Sequence, residues 1–402
     1  MFYGWRVVSG AFVAQMFVLG FFAYSASLLV APVRAEFDAS LEQVMYSLGA
    51  GTVLGLVVTP IAGIMIDRFP VRWLMVAGTI VFSAGLWAIA QSESISEYVI
   101  LFGLTMALAN GFAGAMSAST VISRWFTVSR GRALGIAALG TSAGGIIVPK
   151  LISSTLVDSS WRVALEQLSM WSLIIMLPIV ILTIRGKPTD VGLTAEASGS
   201  AAQPSSELDR PMSLKQIVIN PGYWFLGLSL GLLFSSYSAV LANISPYAIN
   251  LGETEARAAS LIMTIAIAGI VGKLLFGLAA DKFSLKAGLG VAEALVIVGL
   301  LIFSLEESDY IYMLLASSAL GLAAGGMLPI WGALTVHIFG LANFGKAMGL
   351  MTPLITLCIL PGYALIGRLY DSSGSYSSAM LIFSALMVLA ILLLIPLKLR
   401  DS

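Results

Sequence analysis

The sequence predicts an all-α membrane protein in which twelve spanning helices form two six-helix bundles. Hydrophobic residues make up 58% of the 402 residues and charged residues only 10%, whereas a soluble domain carries about 25% charged residues. With a formal net charge of zero, the chain lacks the basic surface of a nucleic-acid-binding protein. A single Cys and a single His exclude a disulfide framework or a Cys/His metal site.

The apolar stretches define the individual spans. A helix needs about 20 apolar residues to cross a bilayer at a rise of about 1.5 Å per residue. The first stretch is longer than the apolar core of a signal peptide, so we expect it to remain as a span. The predicted spans cover residues 7–30, 43–66, 72–91, 97–123, 132–156, 164–184, 222–249, 256–279, 286–304, 310–338, 345–369 and 377–397.

Basic residues concentrate at alternate ends of these spans. Arg68 and Arg72 follow the second span and Arg132 opens the fifth, whereas the opposite breaks are acidic, as at Glu36 and Glu253. Because Lys and Arg are retained on the inner side of a membrane, this distribution predicts that both termini are cytoplasmic.

The longest polar break divides six spans from six. Residues 185–220 include a Ser-, Gly- and Pro-containing segment at 198–206, which is typical of a flexible linker. We therefore predict an N-terminal bundle over 1–184, a cytoplasmic linker over 185–220 and a C-terminal bundle over 221–402. Within the linker, 212–219 fits a short surface helix.

The two halves of the chain repeat. Gly63–Arg72 aligns with Gly277–Lys286, and Gly131–Gly135 aligns with Gly345–Gly349, with the same offset of 214 residues in both pairs. One offset for two separate segments indicates that the bundles share a topology. Parallel repeats of this kind are typical of two-bundle transporters.

The repeated segment Gly-x-x-x-Asp-Arg/Lys-x-x-x-Arg/Lys resembles the signature of the major facilitator superfamily. This resemblance implies that the bundles rock around a site near the membrane midplane. Acid–cation pairs at the cytoplasmic ends would latch the bundles in one state. A solvated turn that only sets topology is the alternative. The candidate latch residues are Asp67, Arg68, Arg72, Arg132, Asp281, Lys282 and Lys346.

Further segments resemble bacterial monocarboxylate and oxalate/formate-type carriers. They are Phe2–Val7, Arg124–Phe126, Pro246–Tyr247 before Gly272–Gly277, and Leu369–Tyr376. The resemblance implies a small carboxylate substrate, a proton as co-substrate and a place in the inner (plasma) membrane of a bacterium. We expect the lipid bilayer as surroundings, a monomer, and no cofactor, metal or nucleic-acid partner.

Lys273 is the strongest candidate for a residue that binds the substrate. It lies eight residues, or about 12 Å, from Asp281 along the eighth span, and a charge in hydrocarbon costs at least ~2.5 kcal/mol. Carriers of this branch have an Arg four residues before the signature Gly, where it holds the substrate carboxylate, and Lys273 stands four before Gly277. Lys cannot form the bidentate fork of Arg. A structural cation is the alternative.

The residue that carries the proton stays open. Animal monocarboxylate carriers have an acid one turn before the cation, and Gly269 occupies that position here. Lys273 is one candidate, because Lys, unlike Arg, can release its proton in an apolar environment. Glu293 is the other, about 10 Å inside the ninth span, where pairing with an inner-loop cation is the alternative.

Polar partners for a substrate are expected on the first and fourth span of each half, which line the cavity in this family. Each of them alone is more often a helix–helix contact. The candidates are Tyr24, Ser27, Asn110, Ser238, Asn243 and Trp331.

The sequence therefore favours a proton-coupled carrier of lactate-, pyruvate- or acetate-like monocarboxylates that works by alternating access. An exporter of drugs or other hydrophobic solutes, or a carboxylate exchanger, is the alternative. An intramembrane enzyme or a receptor is a remote alternative, because the spans offer no paired nucleophile and base, and the chain has no sizeable soluble domain.

Overall fold

The computed structural model describes residues 2–126, 129–193, 212–280, 284–340 and 343–397. Every regular element within these residues is a helix, and twelve of the described helices are long and apolar enough to cross a bilayer. We name them span 1 to span 12. In order they are Gly4–Phe37, Leu41–Ile66, Val71–Ala90, Ile95–Trp125, Arg132–Asp158, Trp161–Thr183, Pro221–Asn250, Glu255–Phe276, Leu285–Ser304, Tyr310–Phe339, Phe344–Ser373 and Ser377–Leu394. The prediction of an all-α protein with twelve spans is confirmed.

Large apolar side chains lie exposed along the spans. Val57, Leu182 and Leu274 expose 60%, 67% and 64% of their surface. A soluble protein rarely exposes such residues in extended patches. Helices satisfy all their own backbone hydrogen bonds, so a lipid environment accommodates these surfaces.

The first compact unit comprises Met1–Ala201 together with Glu253–Met263. Within it, span 2 and span 3 pack on span 4, and span 1 packs on span 5. Spans 1 and 5 meet through their backbones, because a Cβ on Gly20 would lie 2.6 Å from the Cα of Gly144. Small residues that permit such approach are a common basis of helix packing in membranes.

The second unit comprises Ala202–Gly252 and Thr264–Ser402. Span 7 packs on spans 11 and 12, and span 9 packs on spans 10 and 12. A short helix, Leu214–Ile219, precedes span 7, and its capping box joins Ser213 to Gln216. This confirms the short helix predicted at 212–219.

The internal repeat is visible in the backbone. Asp38 and Gly252 lie in the turn after the first span of each half, with positive φ angles of 47° and 89°, and the two residues are 214 positions apart. The next span of each half is then capped by the side chain of Ser40 or Thr254, which accepts a backbone N–H. Equivalent turns thus have equivalent geometry.

The spans are not uniform helices, which the sequence reasoning did not predict. Span 1 contains a π-helical turn at Gly20–Ser25, and span 6 contains another at Ser172–Met176. Span 4 is interrupted at Gly114, whose backbone is extended with φ −83° and ψ −160°. A Cβ at Gly114 would clash with the carbonyl of Asn110, so this break needs glycine.

Candidate functional site

Span 8 places Lys273 in a stretch, 265–276, whose other residues are all apolar. The side chain of Lys273 is half-buried, whereas the following residues, Leu274 and Leu275, expose 64% and 55% of their surface. The lysine therefore lies at the border between the packed and the lipid-exposed faces of span 8.

Glycines on spans 8 and 10 fix the position of Lys273. A Cβ on Gly325 would clash with the backbone nitrogen of Lys273 and would lie 2.6 Å from the carbonyl oxygen of Gly269. One turn earlier, a Cβ on Gly321 would lie 2.5 Å from the carbonyl oxygen of Ile265. The two backbones are in direct contact at the depth of Lys273. Gly269, where the family pattern has an acid, belongs to this contact.

Trp331 lies on span 10, six residues after Gly325, and is buried. Its indole N–H points to the sulfur of Met351 in span 11 at 3.4 Å. The ring stands edge-on to Phe234 of span 7, with centroids 6.1 Å apart. In this arrangement Trp331 offers an aromatic wall, because its one donor is already directed at Met351.

Span 7 carries two of the predicted binding residues in different settings. Ser238 is half-buried and is hydrogen-bonded to the side chain of Tyr363 in span 11. Asn243 is fully buried, and its amide donates to the carbonyl of Ala239 at 2.8 Å. Sequence reasoning missed Tyr363, since an uncharged residue among apolar neighbours gives no signal.

Span 1 presents Tyr24 from within its π-helical turn. Ser25 stabilises that turn by donating to the carbonyl of Gly20 at 3.2 Å. Tyr24 is half-buried, while Ser27, three residues further, is buried. Single π-helical turns inside α-helices are frequent at functional sites.

Span 4 presents Asn110 one turn before the break at Gly114. The Asn110 amide nitrogen donates to the carbonyl of Met106 at 2.9 Å. Its Oδ1 is buried and has no hydrogen-bond partner within the described residues. Because the carbonyl of Met106 can only accept, the amide atom that faces it is the nitrogen, and the atom without a partner is the acceptor Oδ1.

Three of the described latch candidates have a contact within their own compact unit. The guanidinium of Arg72 lies 5.1 Å from the ring centre of Trp73, and that of Arg132 lies 5.9 Å from Trp5. Lys346 donates to the carbonyl of Met212 at 3.1 Å. Arg68 is exposed. Asp281, Lys282 and the side chain of Asp67 lie outside the described residues.

Glu293 lies in the interior of the second unit. It is fully buried in span 9 and accepts a hydrogen bond of 2.6 Å from the hydroxyl of Ser229 in span 7. Sequence reasoning proposed an inner-loop cation as a possible partner, and missed Ser229, which is 64 residues away in the chain.

Comparison with known proteins agrees with this architecture. The family model of the Major Facilitator Superfamily matches residues 11–272 and 228–402 in two overlapping segments. An uncharacterised MFS-type transporter of Escherichia coli, YhjX, is 24% identical, covering 86% of this chain and 83% of that protein. Monocarboxylate transporter 12 of Rattus norvegicus is 23% identical, covering 98% and 85%.

A solved structure has the same fold. The nucleoside transporter NupG superposes with a TM-score of 0.74 at 12% identity, over 99% of both chains. With twelve helices long enough to cross a membrane among its described residues and a family match along almost its whole length, the chain belongs to the major facilitator superfamily.

Proposed function

We propose that this transporter is a proton-coupled secondary carrier of small monocarboxylates, with lactate, pyruvate and acetate as the substrate class. It works by alternating access in the inner (plasma) membrane of a bacterium, as a monomer with both termini in the cytoplasm. The bundles 1–184 and 221–402 are joined by a cytoplasmic linker at 185–220. The observation that carries the proposal is the half-buried cation of Lys273 within span 8.

The charge of Lys273 favours an anionic substrate. A cation at this depth is costly unless an anion or water compensates it, and a single carboxylate matches a single ammonium group. A cationic site also repels the lipophilic cations that many drug exporters carry. The name of the rat relative, monocarboxylate transporter 12, is consistent with this substrate class.

Asn110 refines the substrate class. Its orphan Oδ1 requires a donor, which a carboxylate cannot supply but the hydroxyl of a 2-hydroxy acid can. We propose that Asn110 accepts a hydrogen bond from the hydroxyl of lactate. Tyr24, Ser27, Ser238 and Asn243 are proposed as further polar partners, and Trp331 as an apolar wall.

Transport by the purified protein tests the proposal. Labelled lactate, pyruvate, acetate, formate and oxalate are offered to proteoliposomes with and without an imposed pH gradient. We expect uptake of the monocarboxylates, accumulation only with the gradient, and little uptake of the dianion oxalate. Transport of hydrophobic cations in place of these acids would support the exporter and overturn the proposal. Uptake by exchange alone, insensitive to the gradient, would identify an exchanger.

A further inference from the structure

Glu293 is a carboxyl group without a counter-ion in the described part of the chain. Its Oε1 accepts from Ser229, and its Oε2 is buried without a hydrogen-bond partner there. No ion pair among the described residues includes it. An ionised carboxylate in this position would leave a charge in an apolar interior with one hydroxyl as compensation. The neutral carboxyl is the form that this environment accommodates.

The depth of Glu293 follows from the contacts between spans 9 and 10. Gly288 faces Ile330, and Gly299 faces Ala316 and Leu320. Since the two helices are antiparallel, Glu293 is level with residues 324–325 of span 10. Gly325 is the residue that touches the backbone of Lys273.

Lys273 and Glu293 thus lie at one depth, on helices that pack on opposite faces of span 10, and the Glu293 side chain is directed to Ser229 of span 7. The face toward span 9 includes Ala316, Leu320 and Ile330, and the face toward span 8 includes Gly321 and Gly325. At about 100° per residue these two sets lie roughly half a turn apart. Span 10 therefore lies between the helix that carries Lys273 and the helix that carries Glu293.

Other ionisable groups on the packed elements lie at other depths or are engaged. Span 12 carries none. On span 10, Tyr310, Tyr312 and His337 are about 12 or more residues, or about 18 Å, from this level.

The tyrosines of span 7 are hydrogen-bonded or lie away from Glu293. Tyr223 donates to the carbonyl of Leu350 and Tyr247 to the carbonyl of Phe303. Tyr237 lies about 12 Å beyond Ser229 along the helix. Lys286 of span 9 donates to Ile395 and Leu397.

We infer that Glu293 carries the co-transported proton, and that Lys273 and Glu293 together keep the carrier electroneutral. This inference rests on the proposed function. In the loaded carrier the substrate carboxylate neutralises Lys273, and Glu293 is protonated. After release the conformational change of the transport cycle brings Glu293 to water, where its O–H bond breaks and the proton passes to water. The empty carrier then holds one ammonium and one carboxylate. The net charge of this pair is zero in both states.

Two variants separate Glu293 from Lys273 as the proton site. Glu293→Gln is isosteric with the protonated acid but cannot release a proton. It should keep counterflow exchange of lactate and lose accumulation driven by a pH gradient. Lys273→Arg should lower exchange, yet the remaining uptake should still respond to the gradient. Glu307→Gln, an exposed acid of the span 9–10 turn, is the matched control and should behave as wild type.

The opposite pattern overturns the inference. If Glu293→Gln accumulates lactate as wild type does, or if Lys273→Arg alone loses the gradient response, Glu293 is not the proton site. Absence of lactate counterflow in wild type would instead refute the proposed function. Infrared spectroscopy tests the protonation state without transport: wild type saturated with lactate should show a carboxylic C=O band that is missing in Glu293→Gln. An unchanged band in that variant would also refute the inference.

If Glu293→Gln does not fold, Ser229→Ala is a second variant for the infrared test. Removing the hydroxyl eliminates the one hydrogen bond to Glu293 and leaves the acid in place. The carboxylic C=O band should shift in frequency, because its hydrogen-bond partner is lost. A band at the wild-type position in Ser229→Ala would show that the band does not belong to Glu293.

Discussion

Gly325 of span 10 lies directly against the backbone nitrogen of Lys273 in span 8, at a separation that leaves no room for a Cβ. The contact sets the distance between the two helices at the depth of the proposed substrate cation. The opposite face of span 10 packs on span 9, at the depth of Glu293. The small residues of span 10 therefore serve both packing and the placement of the site.

Gly325→Ala should separate spans 8 and 10. The added Cβ would meet backbone atoms of Gly272 and Lys273, and backbone cannot yield as a flexible side chain can. We expect a loss of about 1–3 kcal/mol in the free energy of unfolding and weaker lactate binding. Gly290→Ala in span 9 is the control, because no heavy atom lies within 4 Å of its Cβ position. Equal thermal stability of the two variants would contradict the packing argument.

Glu306 should stabilise the start of span 12. Its Oε1 accepts from the backbone N–H groups of Tyr376 at 2.6 Å and Ser377 at 3.2 Å, and from the hydroxyl of Ser375 at 2.9 Å. Glu306→Ala should cost about 1–3 kcal/mol, because several donors lose their acceptor. Thermal unfolding measures this, with the exposed Glu307→Ala as control. A melting temperature equal to that of the control would show that Glu306 is dispensable.

Asn110 should discriminate lactate from acids that lack a hydroxyl. Asn110→Ala removes the orphan acceptor, so lactate affinity should fall by about two- to tenfold, the value of one hydrogen bond. Acetate affinity should change little, which makes acetate an internal control in one preparation. Equal losses for both substrates would indicate that Asn110 acts on the helix break at Gly114 rather than on a substrate hydroxyl.

The acids of the repeated signature should control the resting conformation. Asp67→Asn or Asp281→Asn removes a charge that pairs with cations in the proposed latch, so the population should shift between inward-open and outward-open forms. Cysteine reporters in a Cys358→Ser background measure accessibility from each side. Asp38→Asn, in a turn at the opposite ends of the spans, is the control. Accessibility unchanged in both latch variants would favour a purely topological role.

The twelve spans could be predicted because hydrocarbon thickness sets a minimum apolar length, and the chain meets it twelve times. The internal repeat could also be predicted, since Gly63–Arg72 and Gly277–Lys286 share the pattern Gly-x-x-x-Asp-Arg/Lys-x-x-x-Arg/Lys. The break at Gly114 and the π-helical turn at Gly20–Ser25 could not be predicted, because other glycines, such as Gly140 and Gly144, lie inside an uninterrupted helix.

The hydrogen-bond partners that the site residues have on other helices could not be predicted from the sequence either. Glu293 is hydrogen-bonded to Ser229, and Ser238 is hydrogen-bonded to Tyr363. Each partner is distant in the chain, and neither Ser nor Tyr is distinctive in a membrane span. Lys273 and Glu293 were detectable because an ionisable residue in an apolar stretch is rare and costly. The sequence could therefore identify the charged residues of the site, but not the neighbours that determine what these residues do.

Substrate-induced thermal stabilisation of the purified protein tests most directly whether Lys273 binds a carboxylate. Wild type and the control Lys150→Ala, an exposed lysine of span 5, should be stabilised by lactate to the same extent. Lys273→Ala should lose about 1.5–3 kcal/mol of binding free energy, more than tenfold in affinity, and therefore nearly all of the shift. Stabilisation of Lys273→Ala equal to that of wild type would contradict the account.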